Sequence, residues 1–74
     1  MIEVVKRYGW KFWKNCTCPG YLQERFYDPK VMNANSWIGI HPTKDTWWYY
    51  KYGMIKQTGT EKNLEEFLKN HAAI

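Results

Sequence analysis

Cys16 and Cys18 stand one residue apart in the run "NCTC", and His41 and His71 are the only histidines. These four are the residues whose types suit a zinc site, because thiolate and imidazole are its usual ligands. Their spacing argues the other way. Zinc-binding cysteines are usually separated by about two to four residues, and the two histidines lie far apart with no local motif. His71 also falls on an apolar helical stripe, where a packed histidine is the ordinary outcome. No metal or other cofactor is expected. Nucleophilic catalysis has equally little to work with. Ser36 is the only serine, and the five glycines are isolated, so no phosphate-cradling loop forms. Glu24, Asp28 and Asp45 sit in or beside turns, where solvation or capping accounts for a carboxylate. With no nucleophile, base and orienting group to name together, the chain reads as a binding protein and not an enzyme.

The chemistry the chain is rich in is that of aromatic rings beside cations. Fourteen of 74 residues are Phe, Trp or Tyr, and "TWWYYKYG", residues 46–53, holds five of them. The net charge is +4, and the excess is uneven: residues 1–60 carry nine Lys and Arg against four Asp and Glu, whereas residues 61–74 carry two against three. Rings interleaved with Lys and Arg suit stacking on bases with phosphate contacts alongside, each stacked base contributing ~1–3 kcal/mol. They also suit a protein interface, where Trp, Tyr and Arg dominate the binding energy. A carbohydrate or small-ligand module on the same rings is a third possibility. The competing structural reading is that cross-strand ring pairs stabilise a small sheet.

The length implies one domain over 1–74, with a sheet region at 1–59 and a helix at 60–73. A chain this short buries only ~60–65% of its unfolded surface, so its core cannot hide all fourteen rings. Residues 2–14 alternate in polarity, with Ile2, Val4, Tyr8, Trp10 and Phe12 on one parity, and predict a strand. Tyr8-Gly9 is then a bulge or a hairpin turn. "NCTCPG", 15–20, is a turn ending in Pro-Gly. "YLQERFYD", 21–28, predicts a strand with Leu22 and Phe26 on one face. "PKVMNAN", 29–35, is a loop opened by Pro29. "SWIGIH", 36–41, is a strand with Ile38 and Ile40 inward, and "PTKD", 42–45, is a turn. "TWWYYK", 46–51, is a fourth strand, Tyr52-Gly53 a turn, and "MIKQT", 54–58, a fifth strand.

The C-terminal pattern differs. Thr60 fits an N-cap, Glu61 complements the helix dipole, and Leu64, Phe67, Leu68 and His71 recur at helical spacing. The expected fold is therefore α+β: an antiparallel sheet of four to five strands with one C-terminal amphipathic helix packed on one face.

One helix covers one face, so the other face is left to bind. Strand alternation puts Trp48 and Tyr50 on one side and Trp47, Tyr49 and Lys51 on the other. Because Lys is rarely fully buried, Lys51 points to Trp47 and Tyr49 as exposed and to Trp48 and Tyr50 as core. The expected binding surface is Trp47, Tyr49 and Lys51 with Trp13 and Trp37 on neighbouring strands and Arg7 and Lys11 supplying charge. Its expected partner is a nucleic acid or a nucleoprotein complex, or alternatively an acidic protein surface.

The N-terminus meets a charge at Glu3 and another at Lys6, so no apolar leader is read there, and no segment approaches a membrane span. A disulfide between Cys16 and Cys18 is geometrically awkward across a single residue. Together these point to a reduced, cytoplasmic setting in a bacterium or a phage-infected cell. In size and element order the chain resembles small phage- or bacteria-encoded accessory proteins built from a β-sheet and a C-terminal helix, anti-CRISPR and other host-takeover inhibitors among them. No motif carries the resemblance and no residue is transferred by it. It implies stoichiometric binding to a host nucleoprotein machine in place of catalysis.

Overall fold

The computed structural model describes residues 1–16, 22–30 and 36–71. The expected turn at Pro19-Gly20, the position of Cys18, the loop at 31–35 and the end of the helix at 72–73 lie outside the described residues. The order of elements is α1 (Ile2–Arg7), β1 (Lys11–Cys16), β2 (Gln23–Tyr27), β3 (Ser36–Ile40), β4 (Trp47–Lys51), β5 (Met54–Gly59) and α2 (Glu61–Asn70). The five strands form one antiparallel sheet in sequence order, with α2 following it, as an α+β layout requires. No helix among the described residues is long and apolar enough to cross a membrane.

The first segment departs from the expected strand. Residues 2–7 are helical, with acidic Glu3 in the first turn and basic Lys6 and Arg7 in the last, the charge order that favours a helix dipole. Tyr8-Gly9 is neither bulge nor hairpin. Gly9 has φ 93°, its N–H donates to the Lys6 carbonyl at 3.0 Å, and the Trp10 N–H donates to the Val5 carbonyl at 3.3 Å. These two bonds are a Schellman cap, which needs a residue in the left-handed region and so favours glycine. Val5 and Trp10, the two positions whose apolar side chains usually accompany such a cap, both belong to the core. Only Lys11–Cys16 of the expected strand extends as β1.

The core lies between the helices and one face of the sheet. Val5, Trp10, Phe26, Ile38, Ile40, Trp47, Leu64, Phe67 and Leu68 form a single buried cluster, with Tyr8 and Tyr49 packed against it. Ile38 and Ile40 point inward as expected. Leu64, Phe67 and Leu68 are the buried stripe of α2. The N-terminus of α2 is held from two directions. The Thr60 N–H donates to Asn63 Oδ1 at 2.8 Å, and the Glu61 N–H donates to Asp45 Oδ1 at 2.6 Å from the β3–β4 loop. The two helices are tied together by Tyr8, whose hydroxyl donates to Glu65 Oε1 at 3.2 Å. The Trp10 indole N–H donates to the His71 carbonyl at 3.0 Å.

Three further expectations are corrected. Leu22 precedes β2 and is 45% exposed, and the strand begins instead with a fully buried Gln23. Trp47 is 0% exposed and Tyr49 packs on the core, so both lie beneath α2, whereas Trp48 and Tyr50 lie on the other face. The sheet is inside out relative to the reading based on Lys51. That residue sits at the strand end opposite Ser36, one step beyond Tyr49, and a strand-end lysine reaches water past the edge of the covering helix. The third correction concerns the sheet region, which is not all sheet, since α1 adds a second helix to the covering layer.

Both outer strands are interrupted. The β1–β2 register slips at Trp13, between Phe12 and Lys14, and the β4–β5 register slips at Lys56, between Ile55 and Gln57. A bulge with lysines beside it is a common way to keep an edge strand from pairing with another chain.

Candidate binding face of the sheet

Residues directly opposite each other in an antiparallel ladder share a face, so the register sorts the side chains. One row runs Phe26, Ile38, Tyr49, and the next runs Glu24, Ile40, Trp47, Gly59; these are on the helix-covered side. On the other side one row runs Lys11, Tyr27, Trp37, Tyr50, Ile55, and the next runs Lys14, Arg25, Gly39, Trp48, Thr58. No described helix covers these rows. Their charged members are Lys11, Lys14 and Arg25, and no carboxylate stands among them.

The centre of this face is a pile of rings and cations. Trp37 and Tyr50 stack at 3.8 Å between centroids with planes 16° apart. The Arg25 guanidinium lies 3.8 Å from the Trp37 ring centroid and 6.0 Å from that of Trp13. Trp13 and Trp37 are 6.2 Å apart, and Lys14 Nζ is 4.3 Å from the Trp13 ring. From β1 to β4 the order is therefore ammonium, indole, guanidinium, indole, phenol. The bulge at Trp13 turns that ring toward Trp37, and each cation meets a ring face, where the quadrupole is attractive. Trp37 is only 7% exposed although no described helix covers it, and Arg25 and Tyr50 screen its two sides. Arg25 Nε is buried without a hydrogen-bond acceptor among the described residues, so ring contact is what the structure provides to compensate it. Trp13, Tyr27, Trp48 and Tyr50 stay half-exposed around this pile.

Beneath the pile the sheet is held by Gly39. A Cβ there would collide with Gln23 Oε1 and lie 3.1 Å from Trp37 Cζ3. The absent side chain makes room for the buried Gln23 amide and lets the Trp37 indole lie over the backbone.

Of the expected surface residues, the fold brings together Trp13, Trp37 and Lys11. Arg7 ends α1, outside the sheet. Trp47 and Tyr49 are committed to the core, and Lys51 sits at the strand end with Nζ 5.9 Å from the Tyr52 ring. Arg25, Lys14, Trp48 and Tyr50 were missed. The signal that would have found the last two is the turn at 42–45. If four residues form the turn, His41 meets Thr46, and Ile40 must then face Trp47. The structure has this arrangement, with the His41 N–H donating to the Thr46 carbonyl at 3.1 Å and Ile40 paired with Trp47. Since Ile40 is inward, Trp47 is inward and Trp48 is outward.

Both histidines and Asp45 have structural partners, whereas Glu24 lies within β2 opposite Ile40, not at a turn, with its Oε2 buried and without a hydrogen-bond partner among the described residues. His41 Nδ1 accepts backbone N–H groups from Thr43 at 3.2 Å and Lys44 at 3.0 Å, organising the β3–β4 loop. His71 stacks on Phe67 at 4.1 Å and its Nδ1–H donates to the Phe67 carbonyl at 3.0 Å. Cys16 is a half-buried thiol at the end of β1, and Asp45 caps α2. Among the described residues no group of three or more His, Cys, Asp or Glu is placed to share a metal ion. No family model, curated protein or solved structure matches the chain.

Proposed function

We propose that the open sheet face binds a nucleic acid, either free or within a nucleoprotein complex, and that the protein acts by occupancy and not by catalysis. The observation that carries this reading is the face's composition. Half-exposed rings from three strands, with the buried Trp37 of β3 between them, surround Lys11, Lys14 and Arg25, with no carboxylate in the same rows. Rings give sequence-tolerant stacking, and an uncompensated cationic field attracts a phosphate backbone at long range. In this reading the setting is the cytoplasm of a bacterium or of an infected cell.

A second reading, a protein–protein inhibitor of a host machine of the anti-CRISPR kind, is favoured by Met54 and Ile55. They are 61% and 52% exposed, Ile55 opposite Tyr50 on the open face and Met54 opposite Lys51 at the end of the hairpin. Exposed Met and aliphatic side chains next to aromatics suit a protein interface more than a phosphate backbone.

Titration of labelled single- and double-stranded oligonucleotides at two salt concentrations separates the readings. Nucleic-acid binding should weaken steeply with salt, with a slope set by the phosphates neutralised. If neither oligonucleotide binds at low salt, the nucleic-acid reading is wrong and the search passes to a protein partner.

A further inference from the structure

The β4–β5 hairpin closes through two residues, Tyr52 and Gly53, between the paired Lys51 and Met54. Both have positive φ, 54° at Tyr52 and 76° at Gly53. This is the backbone of a primed two-residue turn, whose twist matches that of the strands and whose first central position favours Asn, Asp or Gly. A tyrosine there is unfavourable, because its Cβ crowds the following carbonyl. The ring gains no burial in return, being 71% exposed. A strained backbone that presents an exposed aromatic is the kind of outlier that functional positions retain.

Three observations bear on what this ring could meet. Ile55 pairs with Tyr50, so the second strand of this hairpin adds to the open face next to the central pile. Residues 47–60 contain Lys51 and Lys56 and no carboxylate. Lys51, at the exposed strand end of the row beneath α2, holds its Nζ 5.9 Å from the Tyr52 ring, a cation beside a stacking surface.

We propose that Tyr52 is a base-stacking residue and that the ligand of the face is single-stranded nucleic acid; this rests on reading that face as a nucleic-acid surface. In a duplex the base faces are stacked on their neighbours and closed to a side chain. A ring projecting from a hairpin tip takes a base only from a strand whose bases are unpaired. Lys51 then meets the phosphate next to that base. Tyr52 is kept in a strained turn because the ring is needed there.

The test compares wild type, Tyr52→Asn and Tyr52→Phe by thermal melting and by titration with fluorescently labelled oligo-dT, alone and annealed to oligo-dA. Asn tolerates the left-handed region, so Tyr52→Asn should melt roughly 3–8 °C higher. The same variant should bind oligo-dT about 5- to 100-fold more weakly, the loss of one stacked base. Tyr52→Phe keeps the ring and should bind as wild type does, and wild type should prefer oligo-dT to the duplex. Tyr52→Asn binding oligo-dT as tightly as wild type, or tighter binding of the duplex, overturns this inference and leaves the open face as a nucleic-acid surface. Binding of neither probe by wild type overturns both.

Discussion

The indole N–H of Trp47 donates to the backbone carbonyl of Thr60, 2.8 Å away and thirteen residues further along the chain. The same N–H lies 3.2 Å from Asn63 Oδ1, and the ring packs on Phe67 at 4.8 Å. One side chain of β4 thus fills the core and fixes where α2 begins. Trp47→Ala should cost ~3–5 kcal/mol and come close to unfolding a domain of this size. Trp48→Ala, on the open and half-exposed face, should cost only about 1–2 kcal/mol. Chemical denaturation of the two variants checks this ordering. Equal losses would mean that the open face is covered as well.

Gly39→Ala tests the ground under the ring pile. The new methyl would collide with Gln23 Oε1, and although that atom ends a flexible side chain, Gln23 is fully buried and has little room to turn. A loss of ~1–3 kcal/mol is expected, as for other overpacked sites. Combining it with Gln23→Ala should recover part of that loss, because the clash partner is gone. The melting temperatures of the single and double variants decide the point.

Arg25 separates packing from charge. Arg25→Ala removes a guanidinium lying against Trp37 and should destabilise the fold by about 0.5–2 kcal/mol. Arg25→Lys keeps the charge but not the planar contact, so most of that loss should persist. On the proposed nucleic-acid reading, the slope of log affinity against log salt should fall by about 1 for Arg25→Ala and stay nearly unchanged for Arg25→Lys.

The attachment of α2 can be tested at both its polar and its apolar contacts. Asp45→Ala leaves the Glu61 N–H without its acceptor and should cost ~0.5–2 kcal/mol, the usual worth of a helix cap. Leu68→Ala opens a cavity at a fully buried position and should cost ~2–5 kcal/mol. A melt little changed by Leu68→Ala would mean that the helix does not pack on the sheet.

Much of the fold was legible because its signals are local. Helical spacing of Leu64, Phe67 and Leu68 after Thr60 defined α2, and Ile38 with Ile40 marked the inner face of β3. Turn residues at 42–45 and 52–53 divided the strands. Residues 2–7 misled because six residues are too few to separate a period of 2 from one of 3.6. Ile2 and Val4 fit a strand, and Ile2 and Val5 fit a helix. The evidence that distinguishes them was also in the chain: Glu3 early, Lys6 and Arg7 late, and Gly9 just beyond.

The sequence by itself determined the alternation in β4, so Trp47 and Trp48 had to face opposite ways. It also determined, through the four-residue turn, that Trp47 shares a face with Ile40. It did not determine how far the covering layer reaches. Lys51 lies on the same face as Trp47 yet is exposed, because α2 packs on Trp47 and Tyr49 and stops short of the strand end. Tertiary structure alone decided that limit. It alone also assembled Trp13, Arg25, Trp37 and Tyr50 into one pile, since the four come from four strands and depend on a bulge at Trp13. Pleat parity is a property of a single strand, readable residue by residue. Register, bulges and the area covered by a helix are relations between segments distant in sequence, and they are fixed only when the segments pack.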